Sequence, residues 1–492
     1  MASVVAGVDS STQSCTVELR DAETGALLGT GRAGHPSTTP PVSEQHTAQW
    51  WDAFRDALAL ACRNAGLAAS EIGAISVGAQ CHGLVALDAG DREIRPVKLW
   101  NDTTSAPDVE RLLGERSPAS WVGEVLLPLN PALTIAKLAW LAHNEPDNLA
   151  RVRRLMVPHD WLTFALTGNH VTDRSDASGT GFDSADQGRF RSDLLATHIG
   201  DAVDWDAAFP TVLGPEQAAG TVLPGVATEL GLRPDVVVGP GGGDQHLAAV
   251  GMGLARGEVA FSLGTSGVVF TPAELPSHRD WTVDYVCDTT GGYLPLVCTL
   301  NCTKVTDRFA YLLGTDLDGL ERLALSAGTG ESPVLLAYLD GERSPMRPGS
   351  AGVLAGLRSD TSREDLARAA YDGVVQGMVR GMQTLQDLAG EPITGRVLAV
   401  GGGARSLAYR QLIADRCGQP VTTVDAPEAT ARGACVQAAA VLHGTTVAEL
   451  RDRWRPSTVA TVEPRAGAAL GLDESYGQLS AAYDDWYFTS RR

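Results

Sequence analysis

The sequence predicts an α/β protein built as two domains, and three observations carry that expectation. The chain is 492 residues long, beyond the size at which a single hydrophobic core keeps growing. Short apolar runs punctuated by glycine alternate with stretches of helical periodicity, which is the pattern of strands connected by helices. A layout of strand, hydroxyl-rich turn and strand occurs near the start and again after residue 257, so the chain reads as two related halves, residues 1–253 and 254–492.

In order, Val4-Val5-Ala6-Gly7-Val8-Asp9 is a buried strand and Ser10-Ser11-Thr12-Gln13-Ser14 a tight turn. The following strand alternates Cys15, Val17 and Leu19 against Thr16, Glu18 and Arg20, which predicts one apolar and one polar face. Trp50, Trp51, Phe54, Leu58 and Cys62 recur at helical spacing and mark an amphipathic core helix. Residues 72–78 form the next strand, ending in Gln80-Cys81-His82-Gly83. A hairpin turning at Ala89-Gly90-Asp91 leads to Trp100-Asn101-Asp102, then to helices near 104–114 and 132–143, the second closed by Pro146. Asp160-Trp161-Leu162 and residues 172–186 read as loops, either lining a cleft or merely connecting.

The apolar run Val236-Val237-Val238 then meets Gly241-Gly242-Gly243-Asp244-Gln245-His246 and a helical pattern with Leu247, Val250 and Leu254. Residues 258–263 are a strand, Gly264-Thr265-Ser266-Gly267 a small-residue turn, and Val268-Val269-Phe270 a strand. Ser362 and Asp365 start a long helix that ends at Gly390, with Leu366, Ala370, Val374, Met378, Met382 and Leu385 on one face. Its Gly373, Gly377 and Gly381 predict close approach to a neighbour. A strand at 396–400 leads into Gly401-Gly402-Gly403-Ala404-Arg405-Ser406 and a helix carrying Leu412 and Ile413. A strand at 421–424, a helix over 428–442 and a last helix near 478–487 complete the plan.

Composition removes several function classes. The net charge is −20 with the acids dispersed, which disfavours nucleic acid or an anionic membrane as a partner. No segment has the uninterrupted apolar length a bilayer span needs. Met1-Ala2-Ser3-Val4-Val5 carries no basic region ahead of a long apolar stretch, so no secretory leader is expected. The eight cysteines form no CxxC pair, and the histidines are scattered, so reduced thiols in the cytoplasm are expected rather than zinc or disulfides.

The chemistry gathers at loops. Three glycines let a backbone pass close to a ligand and leave Asp244 at the positive end of a helix, where it stays ionised and can act as a base. Taken alone, Asp244 reads more readily as an N-cap than as a base. The turn at 10–14 offers hydroxyls and amides to phosphate oxygens, and Asp9 at its edge suits a hydrated Mg²⁺. His82 lies just past a strand's carboxyl end, where open sheets bind ligands. The run at 401–406 is a second place for anionic or flat ligand atoms to meet backbone, although no GxxxxGK[ST] loop occurs. Two hydroxyl-rich hairpins, two glycine loops and one acid ahead of a helix fit phosphoryl transfer, which relies on positioning, charge stabilisation and one proton acceptor.

Seven of these segments occur in the order of a known family. Asp9 with Ser10 to Ser14, Gln80-Cys81-His82-Gly83, Trp100-Asn101-Asp102, the loop 241–244, Ser262-Leu263-Gly264-Thr265-Ser266-Gly267-Val268, Gly341-Glu342-Arg343-Ser344-Pro345 and the run 401–406 make the chain resemble the FGGY family of carbohydrate kinases over essentially its whole length. Within the family it is most similar to the branch acting on D-xylulose.

The resemblance implies two ribonuclease-H-like, actin-like domains, with ATP and Mg²⁺ in a cleft and the γ-phosphoryl passing to the sugar's 5-hydroxyl. It implies Asp244 as general base and Asp9 as the support of metal and phosphates, with Asp9 and Asp244 holding Mg²⁺. Cys81, His82, Asp244, Gln245, Asn101 and Asp102 would contact sugar. Ser11, Thr12, Gly264 and Thr265 would contact phosphates, and Gly402, Gly403 and Ala404 would border the nucleoside. The D-xylulose branch typically carries Met at the position of Cys81, Asn at Gln245 and Arg at Thr104. A sister kinase for ribulose, glycerol or gluconate therefore stays open, as does a non-catalytic ATP-binding scaffold or sugar sensor. The sequence also leaves homodimer formation open.

Overall fold

A computed structural model of the chain describes residues 4–328, 333–390, 392–468 and 473–489. Met1, Ala2 and Ser3 of the leader reading lie outside the described residues. The chain divides into two units: residues 1–253, 285–294 and 426–456 form the first, and residues 254–284, 295–425 and 457–492 the second.

The first unit is organised on a mixed sheet. Val4–Ser10 pairs antiparallel with Ser14–Asp21, which pairs with Leu27–Gly34, and on its other side runs parallel to Ile72–Ala79. Val237–Val238 and the short Gly242–Gly243 both add in parallel to Ile72–Ala79. One face is covered by the helix Thr47–Ala65, which buries Trp50, Phe54 and Leu58 to within 2% exposure. Burial of side chains this large contributes roughly 1.5–3 kcal/mol each, against tenths for helix propensity, so packing decides the helix.

The opposite face departs from the sequence expectation. Thr16, Glu18 and Arg20 are as buried as their apolar neighbours. The reason is the helix Ala429–His443, which lies on that face: a Cβ on Gly7 would sit 1.9 Å from the Ala431 carbonyl oxygen, and the Cys435 thiol donates to the Glu18 carbonyl. Arg20 answers the Glu18 carboxylate at 2.8 Å. Alternation in a strand reports a solvated face only when no later element covers it.

Several connections are more ordered than their composition suggests. Pro146 does not close a helix but opens one: the helix Thr134–Asn144 ends at Glu145, and Pro146–Arg151 begins with proline in its first turn, where the missing N–H costs nothing. The expected loop at 160–162 belongs to the helix Pro158–Thr167. The stretch 172–186 holds a strand ending at Asp173, the short helix Arg174–Ala177 and the strand Asp183–Ser184. A further helix, Pro118–Val125, is capped by Ser117.

The second unit repeats the hairpin. Val259–Leu263 pairs antiparallel with Gly267–Phe270 and parallel with Val397–Val400, which is followed in the sheet by Val421–Val424 and Thr458–Val462. The long helix runs Arg363–Ala389, with a capping box between Ser362 and Asp365 and Gly390 left-handed at its end. Two of its three glycines pack closely: a Cβ on Gly373 would lie 2.5 Å from the Leu335 carbonyl oxygen and one on Gly381 3.0 Å from Val297, whereas one on Gly377 would meet nothing nearer than 3.7 Å. The last helix is Glu474–Thr489.

Candidate active site

The glycine loop delivers Asp244 to the first turn of the helix Asp244–Gly251. The N-cap is Gly243, so Asp244 does not cap the helix with its side chain, and its Oδ1 instead accepts from the next amide, Gln245 N, at 2.7 Å. Gly241 has a positive φ of 82° and leaves no room for a side chain beside Val77 and the His159 ring. The helix is seated by reciprocal glycines: a Cβ on Gly251 would strike the Ala429 carbonyl, and one on Gly433 the Leu247 carbonyl, each at 1.9 Å. Thr430 Oγ1 adds a hydrogen bond to the Asp244 carbonyl at 3.0 Å. The same downstream helix that covers the sheet therefore sets the height of the acid.

Burial pushes the Asp244 carboxyl up to about 6, and the nearby Asp176 adds to this, while the Gln245 amide and the Cys81 thiol work in the opposite direction. Cys81 donates to Asp244 Oδ1 at 3.4 Å, and burial among carboxylates holds its thiol well above the ordinary range. His82 is one of three non-glycine residues with positive φ among the described residues, at 67°. Its ring packs on Gly179, and its carbonyl accepts from Thr134 Oγ1 at 3.1 Å. A strained backbone at a strand end marks a residue held for its side chain's position. Gln245 is exposed.

Asp9 ends the first strand. Burial raises its carboxyl to about 7, opposed by Ser11, whose hydroxyl donates at 2.5 Å, and reinforced by the charge of Asp244. Thr12 Oγ1 donates to Gln80 Oε1 and accepts from Trp100 Nε1 at 2.9 Å, tying three of the expected segments together. Asn101 has a buried Oδ1 with no hydrogen-bond partner in the protein. Asp102 is different: it is fully buried and accepts from Ser43 N, Thr104 and Lys98 Nζ, so its carboxylate is committed to holding the segment. Lys137, also fully buried, donates to the Asp102 carbonyl.

Sequence reasoning missed a buried cluster behind the loop. His159 Nδ1 lies 3.0 Å from Asp176 and Nε2 3.0 Å from Asp160, with Asp173 at 3.5 Å. Burial disfavours the imidazolium, but the three carboxylates outweigh it and raise the histidine to about 9. The available signal was local: Asp173 caps a helix through Ser175 and Asp176, and Pro158 opens one.

In the second unit, Gly264, Thr265, Gly402 and Gly403 line one cavity of about 620 Å³ with Thr303, Glu321, Tyr371 and Arg405. Ala404, the next residue of the run, is buried and does not line it. Gly403 lies against Leu263 and Thr303 with no room for a Cβ, whereas Gly402 faces open space. Glu321 accepts from Ser406 Oγ and anchors the start of the helix Leu407–Cys417. Among the described residues no three or more His, Cys, Asp or Glu side chains gather as a metal cage, and no helix is long and apolar enough to cross a membrane.

Xylulose kinase of Streptomyces coelicolor is 38% identical over 481 residues, covering 97% of this chain and 96% of its own. Xylulose kinase of Streptomyces rubiginosus is 39% identical over the same shares. The crystal structure of xylulose kinase from Bifidobacterium adolescentis superposes with a TM-score of 0.87 at 35% identity, covering 97% of this chain and 99% of that one. Residues 4–251 match the N-terminal domain, and residues 259–442 the C-terminal domain, of the FGGY carbohydrate kinases. This chain is a phosphotransferase belonging to the FGGY family of carbohydrate kinases.

Proposed function

We propose that the enzyme transfers the γ-phosphoryl group of ATP to the 5-hydroxyl of D-xylulose, releasing D-xylulose 5-phosphate and ADP. The observation that carries this reading is Asp244, a carboxyl behind a glycine loop whose proton affinity is lifted to about 6, leaving it ionised at neutrality yet basic enough to accept a proton. The two Streptomyces xylulose kinases support the choice of sugar. The acceptor oxygen bonds to the γ-phosphorus, the bond from that phosphorus to the β,γ-bridging oxygen breaks, and the hydroxyl proton passes to Asp244 as ADP leaves.

In this reading Cys81, His82, Gln245 and Asn101 contact the sugar, and Asp102 acts from beneath by fixing Asn101. Ser11, Thr12, Gly264 and Thr265 donate to phosphate oxygens, while Gly402, Gly403 and Ala404 border the nucleoside. The donor set suits Mg²⁺, which binds through one or two carboxylates plus phosphate oxygens and water. Asp9 and Asp244 would hold it: burial and then the Asp244 charge disfavour the ionised Asp9, a cost that a divalent cation between carboxylates would relieve. When bound, the ion would draw charge from the phosphate oxygens. Eight free cysteines suit the reducing cytoplasm.

The test is ADP release from MgATP with D-xylulose, D-ribulose, glycerol and gluconate side by side, with Asp244→Ala as the blank. The expected outcome is preference for D-xylulose, lost in the variant by at least roughly a hundredfold, with ATP binding retained. Near-normal turnover in Asp244→Ala would remove it as the base. Preference for another acceptor would move the substrate assignment and direct attention to Cys81, Thr104 and Gln245.

A further inference from the structure

The run Gly341-Glu342-Arg343-Ser344-Pro345 takes no part in the contacts proposed above, yet the structure ties it to the phosphate hairpin. Glu342 is 2% exposed and accepts four hydrogen bonds. Oε1 takes Leu300 N at 2.8 Å and Arg343 N at 2.7 Å; Oε2 takes Thr299 Oγ1 at 2.6 Å and Asn301 Nδ2 at 3.0 Å. Asn301 closes the junction from the other side, donating to the Gly341 carbonyl at 2.7 Å and accepting from Leu339 N at 3.1 Å. The next two amides reach the hairpin itself: Cys302 N donates to the Thr265 carbonyl at 3.1 Å and Thr303 N to the Gly264 carbonyl at 3.0 Å. Arg343, beside Glu342, is locked on Asp284 at 2.6 and 2.8 Å.

A buried carboxylate is costly unless its acceptor sites are filled, and a packing role could be served by an apolar side chain. Here three of the four donors belong to residues 299–301, immediately before the two amides that pin the hairpin. We propose that Glu342 is a positioning residue for the nucleotide phosphates. It fixes residues 299–301 so that the amides of Cys302 and Thr303 hold the carbonyls of Thr265 and Gly264. The exposed Thr265 side chain and the turn are thereby presented in one geometry. Preorganised donors spare the reorganisation that a mobile turn would undergo when phosphate arrives. This inference rests on the reading of Gly264 and Thr265 as phosphate contacts.

The experiment uses the full-length enzyme with Glu342→Ala, Glu342→Gln and Thr265→Ala. It reads the KM for MgATP and for D-xylulose, kcat, MgADP affinity by titration calorimetry, and Tm. Glu342→Ala is expected to raise the KM for MgATP and weaken MgADP by about tenfold or more, with the KM for D-xylulose unchanged. Glu342→Gln keeps an oxygen for part of the donor set and should recover part of the loss, leaving nucleotide affinity about threefold below wild type. If Glu342→Ala does not fold, Glu342→Gln carries the test, and wild-type nucleotide affinity in it overturns the proposal. Lowered Tm with unchanged nucleotide parameters, while Thr265→Ala raises the KM for MgATP, also overturns it and leaves the phosphate reading standing. If Thr265→Ala and both Glu342 variants bind nucleotide normally, the phosphate reading fails and the proposal falls with it.

Discussion

In the first unit the hairpin turns at residues 10–14 beside a half-buried carboxylate, Asp9; in the second it turns at residues 264–266, and the residue two places ahead of the turn hydroxyl is Leu263. Both leading strands pair antiparallel with the next strand and parallel with a distant one. The scaffold is duplicated but the charge is not. Leu263 is fully buried, and the glycines at 401 and 403 close on it, which lets backbone approach a ligand at 402 without a competing charge. Asp9 is half-buried, with its carboxyl raised to about 7 beside a second acid. One copy carries an apolar side chain at this position and the other a carboxylate, which is the asymmetry the proposed division into a base side and a phosphate side would use.

The harshest way to break that comparison is to move the charge. Leu263→Asp buries a carboxylate with no partner and should cost several kcal/mol, read as a large fall in Tm or loss of folded protein. A Tm near wild type would show that the second hairpin tolerates the charge it lacks. Asp9→Asn removes charge from the first hairpin and should cut kcat on the order of a hundredfold or more.

Its effect on stability has the opposite sign. The folded-state pKa of Asp9 is raised from 3.8 to about 7, so the stability it contributes below pH 4 is lost as pH rises through 7. The Asn variant should therefore melt higher than wild type at pH 8 and show no such gain at pH 4. Equal melting at both values would mean that Asp9 is not raised in the folded protein. The smallest change is Cys81→Ala, which removes a weak thiol donor at 3.4 Å from Asp244 and should lower kcat by roughly two- to fivefold. A hundredfold loss would make the thiol far more than a support for the acid.

Local signals in the sequence located the hairpins, the glycine loops and the long helix, because each is announced within a few residues. Ser362, Asp365 and Gly390 bracket the helix Arg363–Ala389 from sequence alone. What escaped depends on side-chain partners that the sequence pattern does not pair. Glu18 and Arg20 look solvated until Cys435 is placed on them, and Asp102 looks like a ligand contact until Ser43 and Lys98 are seen to occupy it. His159 and Asp176 are unremarkable as isolated polar residues, and only the fold brings them within 3.0 Å. The loop carrying the acid was legible, as were Cys81 and Gln245 beside it; Asp176, whose charge raises its proton affinity, was not.

The helix Ala429–His443 bears on how the protein is made. Its strands, Val4–Ser10 and Ile72–Ala79, leave the ribosome about 350 residues or more before it does, which at cellular rates of about 5–20 residues per second is a delay of roughly 20–70 s. During that interval Val5, Ala74 and the Glu18–Arg20 pair have no cover, so the nascent chain presents a bare sheet face of the kind chaperones bind. A fragment ending at residue 253 should accordingly be insoluble by itself and be recovered by co-expression with residues 254–492. A soluble, cooperatively melting fragment would show that the late helix is dispensable for biogenesis.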